Sequence, residues 1–71
     1  MFEFYMHLVG SDIHKHVRDL TEQEAFALYE QAKGKAHKVI AEADHPYDGT
    51  VRNAMLLSNT NKQYTVAITQ R

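Results

Sequence analysis

The first nine residues alternate so strictly that an extended strand is the only regular conformation to suit them. Phe2, Phe4, Met6 and Leu8 fall on one side and Glu3, Tyr5 and His7 on the other. Gly10-Ser11 follows, and glycine in the first central position suits a two-residue type II′ turn. Folding back there predicts a register in which Leu8 faces Ile13 and Phe4 faces Val17 on the apolar side. On the polar side Glu3 then meets Arg18, Tyr5 meets His16 and His7 meets His14. Because a strand's period is two, any slip would turn its apolar set outward, so pattern and turn support each other. The predicted hairpin leaves Tyr5, His7, His14 and His16 together on a solvent face.

A chain of 71 residues holds one domain, residues 1–71, with a thin core. Cysteine is absent, which removes disulfide staples and thiolate metal sites. Eight basic and nine acidic residues give a formal charge of −1, so no overall field draws the chain to nucleic acid or a membrane. No apolar run is long enough to span a bilayer. These features predict a soluble protein, expected in the cytoplasm.

Thr21-Glu22-Gln23-Glu24 has the form of a capping box, with Thr21 as N-cap and Glu24 reaching back to it. Leu20 and Ala25 flank the cap as a hydrophobic staple. Beyond it Ala25, Phe26, Tyr29, Ala32, Ala36, Val39, Ile40 and Ala43 recur at helical spacing. The spacing predicts a helix running to about Asp44, kinked at Gly34 and stopped by Pro46. The alternative ends the helix at a Gly34 cap and makes His37–Ala41 a short strand. Tyr47-Asp48-Gly49 reads as a turn. Thr50–Ser58 and Gln63–Thr69 then form a second hairpin in which Leu57 faces Tyr64, Met55 faces Val66 and Asn53 faces Ile68. That register puts Arg52, Ala54 and Leu56 outside. The expected fold is α+β: a two-layer β-β-α-β-β domain, one four-stranded antiparallel sheet packed on one helix.

Few residue patterns point to chemistry. Asp12, His14 and His16 alternate on one strand with His7 across from them, which brings three imidazoles to one side. No fourth ligand is specified, so a polar face that includes histidine accounts for them more simply, and neither metal nor cofactor is expected. Lys33, Lys35 and Lys38 form the one basic cluster, a candidate phosphate contact if a loop displays them. Neither a phosphate-cradling glycine loop nor a nucleophile elbow is present. Glu22 and Glu24 are explained by the helix start. An enzyme is therefore not expected. What remains is surface: Tyr5, His7, His14, His16, Arg18, Arg52 and Leu56 make a candidate partner-binding face of aromatic and arginine character. Edge strands offer a second route to a partner, including a twin copy in a homodimer.

The stretch Ala36–Ser58, AHKVIAEADHPYDGTVRNAMLLS, resembles a segment of a family of small type I-F anti-CRISPR proteins. The likeness lies in an alanine-containing helix over Ala36–Ala43 and in Gly49-Thr50-Val51 opening a strand. It covers about a third of the chain. The resemblance implies a phage-encoded inhibitor that occupies a surface of a host defence complex, and it assigns no individual contact residue. The expected function is accordingly a small non-enzymatic interaction protein of phage or mobile-element origin that binds and inhibits a host protein. A nucleic-acid-binding module using the lysine cluster is the alternative, and a histidine metal site a lower one.

Overall fold

A computed structural model describes residues 1–71. In chain order the elements are β1 (Phe2–Leu8), β2 (His14–Leu20), α1 (Glu22–Lys35), β3 (Lys38–Asp44), β4 (Thr50–Leu57) and β5 (Gln63–Gln70). The strands form one antiparallel sheet of five in the order β2-β1-β5-β4-β3. The helix packs over β1, β5 and β2. The α+β class and the single helix agree with the sequence reading, whereas the strand count is five and not four.

The added strand is β3. It occupies the stretch expected to continue the helix, where the alternative reading put a short strand at His37–Ala41, and α1 ends at Lys35 with Ala36 as an extended C-cap. Gly34 lies inside the helix and does not cap it. The cause of the misreading is local. Val39 pairs with Leu56 and Ala41 with Met55, so Ile40 is an extra residue bulged out of the ladder. A bulge breaks the two-residue alternation and leaves Ala36, Val39, Ile40 and Ala43 at spacings that mimic a helix. Of the two features that carried the family resemblance, Gly49-Thr50-Val51 does open β4, while Ala36–Ala43 is cap and strand.

The first hairpin keeps its expected register, with Phe4 opposite Val17, Tyr5 opposite His16 and His7 opposite His14. Its turn differs. Ser11 N–H donates to the Leu8 carbonyl at 3.2 Å, which makes Gly10 the third turn residue, and its φ of 84° suits that position. The Leu8 N–H still reaches the Ile13 carbonyl at 3.0 Å, so the register is unaffected. Near Phe2 the ladder is bulged on β2, where Asp19 takes a φ of 58°.

The second hairpin is displaced by one residue. Leu56 faces Tyr64, Ala54 faces Val66 and Arg52 faces Ile68. Ser58 N–H donates to the Lys62 carbonyl at 2.8 Å, leaving a three-residue loop that Asn61 completes at a φ of 63°. A loop one residue shorter than expected slides β4 by one residue against β5 and reverses the faces of β4, while Tyr64, Val66 and Ile68 of β5 keep the expected inner side. Leu56 is therefore a core residue, 3% exposed, and belongs with Phe4, Ala25, Tyr29, Ala54, Val66 and Ile68. The Tyr47–Gly49 turn is as expected, closed by Thr50 N–H to the Tyr47 carbonyl at 3.1 Å.

The Thr21 capping box is complete. Its backbone N–H donates to Glu24 Oε1 at 2.9 Å, and its Oγ1 accepts from Glu24 N–H at 3.1 Å. Those bonds hold the Glu24 carboxyl below the usual carboxylate range. At the other end α1 is tied to β3. The Tyr29 hydroxyl donates to Glu42 Oε2 at 2.6 Å, and Lys33 Nζ donates to the same oxygen at 2.9 Å. Burial and that carboxylate push the Tyr29 phenol well above its ordinary pKa, while the Tyr29 and Lys33 hydrogen bonds pull Glu42 down. No helix is long and apolar enough to cross a membrane.

Candidate functional site

The sheet face turned away from α1 carries no covering layer. On it Tyr5 stands at the centre of an imidazole cluster. Its ring centroid lies 6.1 Å from that of His14 in a stacked arrangement, 5.8 Å from His16 edge-on and 6.3 Å from His7. Strand alternation puts Tyr5 and His7 on one side of β1, and the hairpin register delivers His14 and His16 beside them. Tyr5 and His7 are half-buried, while His14 and His16 are exposed.

The rings are fixed by their own hydrogen bonds. His7 Nε2 donates to the Ser11 carbonyl at 2.7 Å, and His14 Nδ1 to the Asp12 carbonyl at 3.0 Å. His16 Nε2 donates to Glu3 Oε1 at 2.5 Å. Glu3 is 7% exposed and takes a second partner, Arg71 Nε, at 2.7 Å. The His16 bond, assisted by Arg71 and Arg18, outweighs burial and holds the Glu3 carboxyl below its usual range. Arg18 was expected directly opposite Glu3. The bulge at Asp19 displaces it, and its influence on Glu3 is only Coulombic. No three of the histidines and carboxylates are arranged to hold a metal ion.

Two other residues expected on this face lie elsewhere. Leu56 points into the core for the reason already given. Arg52 is on the helix side, where its guanidinium carbon sits 5.2 Å from the Phe26 ring centroid and its Nε donates to Asp44 Oδ1 at 2.6 Å. The one-residue shift exchanges them for neighbours that sequence reasoning placed inside. Met55 and Asn53 now lie outside, beside Thr65 and Ala67 of β5 and Ala41 and Ala43 of β3. These six line a shallow hollow bordered by Tyr47, which is 70% exposed. Since Ala67 is the cross-strand partner of Tyr5, the hollow runs directly into the imidazole cluster. The signal that could have revealed it was Asn59-Thr60-Asn61, in which asparagine suits the left-handed end of a three-residue loop.

The lysine cluster does not form one surface. Lys33 is engaged by Glu42 and lies 3.7 Å from Glu30. Lys35 faces the helix side, whereas Lys38 pairs with Leu57 on the opposite face of the sheet. The free sheet edges belong to β2 and β3, and each carries a bulge and several charged residues. Such features discourage pairing with another strand.

Compared with family models, curated proteins and solved structures, the chain matches none.

Proposed function

We propose that the protein is a non-enzymatic interaction module that grips a larger partner protein through the uncovered sheet face. The observation that carries this reading is the Tyr5 hub with His7, His14 and His16, a preorganised aromatic cluster on a rigid platform. Tyrosine anchors of this kind supply contact area at little cost in side-chain freedom. The hollow beside it gives a protruding partner side chain somewhere to sit.

The class of partner comes from the resemblance of residues 36–58, of which the strand opened by Gly49-Thr50-Val51 persists. On that ground the proposed role is a phage-encoded inhibitor that binds a host defence complex in the host cytoplasm. The test is direct. The protein, expressed in cells carrying a type I-F interference system, restores plating of a targeted phage, and Tyr5→Asp or the exposed His14→Asp abolishes that rescue. Tagged protein captures the complex from nuclease-treated lysate in the same pattern. A folded Tyr5→Asp protein that captures and inhibits as well as the parent removes this face from consideration. Capture that disappears with nuclease transfers the function to nucleic-acid binding.

A further inference from the structure

The opposite side of the molecule contains a second feature, independent of the proposed function. Between the C-terminal half of α1 and the inner face of the sheet lies a groove of about 280 Å³. Phe4 and Leu56 form its buried floor, and Met6, Leu28 and Tyr64 make half-buried walls. It exists because α1 presents Ala32 there and its C-cap Ala36, where longer side chains would close it.

The polar residues around this groove are one-sided. Lys15 of β2 and Lys35 of α1 both line it, and no carboxylate does. Neither lysine takes part in any of the ion pairs of the structure. Lys15 stands opposite Met6, which brings its stem to the apolar side of the sheet. Tyr64 adds a phenol that makes no hydrogen bond within the protein, whereas Ser58 Oγ already accepts from the Thr60 and Lys62 backbone. An apolar slot ringed by two unpaired ammonium groups and a free hydroxyl is complementary to a molecule with a hydrocarbon body and an anionic head. The volume sits at the lower limit for small-molecule sites and is too small for a peptide helix.

We propose that this groove binds a medium-chain fatty acid, its hydrocarbon against Phe4, Leu28 and Leu56 and its carboxylate between Lys15 and Lys35. Burying the chain removes apolar surface of Met6, Leu28 and Tyr64 from water, and the two lysines select the head group by charge.

Titration calorimetry with decanoate below its micellar concentration tests this on the full chain. The expected result is saturable one-to-one binding that weakens at least tenfold in the double variant Lys15→Glu/Lys35→Glu. Decyltrimethylammonium, with the same tail and the opposite charge, is expected not to bind. Ala32→Phe fills the groove and abolishes binding. If that variant does not fold, the surface charge reversal still decides the matter, because neither lysine supports the core. Equal binding of both amphiphiles, an unaltered affinity after charge reversal, or no heat from decanoate overturns the proposal. Retained face-dependent capture of the partner by the charge-reversed protein keeps this outcome separate from the function proposed above.

Discussion

Replacing Leu56 by alanine, with Met55→Ala as its control, reads the register of the second hairpin as a stability difference. Leu56 is 3% exposed under the helix, and Met55 is half-buried on the uncovered face. Leucine to alanine removes three carbons from the core, about 2.4 kcal/mol at about 0.8 kcal/mol per methylene. An enclosed cavity would add to that figure. Here the space left behind opens into the groove beside α1, so the added term is small and the total is about 2–3 kcal/mol. A 71-residue domain has a total stability of about 4–11 kcal/mol, so this loss is severe. It corresponds to a fall in melting temperature of about 10–20 °C. Met55→Ala, which leaves no hole in the core, costs less than about 1 kcal/mol. Urea denaturation followed by far-UV circular dichroism, together with thermal melts, measures both. A Leu56→Ala protein as stable as the parent, alongside a strongly destabilised Met55→Ala protein, would refute the observed pairing. The sheet would then present the opposite face of β4 to the helix.

Two further substitutions probe the polar ties. Tyr29→Phe removes the hydrogen bond to Glu42 but leaves that carboxylate its Lys33 partner, and costs about 1–1.5 kcal/mol in a urea titration. The His16 hydrogen bond holds the Glu3 carboxyl below its ordinary range, so in mild acid the native state binds fewer protons than the unfolded chain. Its contribution is complete above that range and is lost as pH falls through the lowered native value, and Glu3→Gln should flatten this part of the acid limb of stability. An acid limb of unchanged slope in the variant would show that the His16 and Arg71 contacts do not persist in solution.

The parts legible in the sequence are those where two local signals agree. In the first hairpin the alternation of Phe2 to Leu8 dictates which faces can pair, so the register survives even though Gly10 takes a different place in its turn. Thr21 and Glu24 are a self-contained pair, and the helix starts where they put it. The illegible parts each depend on one extra residue. Ile40 bulges out of β3 and hides a strand in helical spacing. Asn61 shortens a loop by one residue and reverses the faces of β4, which takes Arg52 and Leu56 off the candidate site and brings Met55 and Asn53 onto it. The Tyr5 cluster was legible because it lies wholly within the first hairpin. The hollow beside it was not, because three strands assemble it.

The position of β5 has a consequence for the timing of synthesis. It follows the other four strands in chain order, yet it is the only strand joining the β2-β1 pair to the β4-β3 pair. Isolated hairpins are marginal in water, and α1 has its main support on β1 and β5 together. A nascent chain that has not yet released Gln63–Gln70 therefore holds two unjoined halves and an unsupported helix. Closure must await pairing of β1 with β5, Phe2 with Gln70 and Leu8 with Tyr64, a slow, non-local step. The sheet therefore cannot close until Gln63–Gln70 is free to pair, and a chain truncated before Gln63 keeps at most two separate, marginal hairpins.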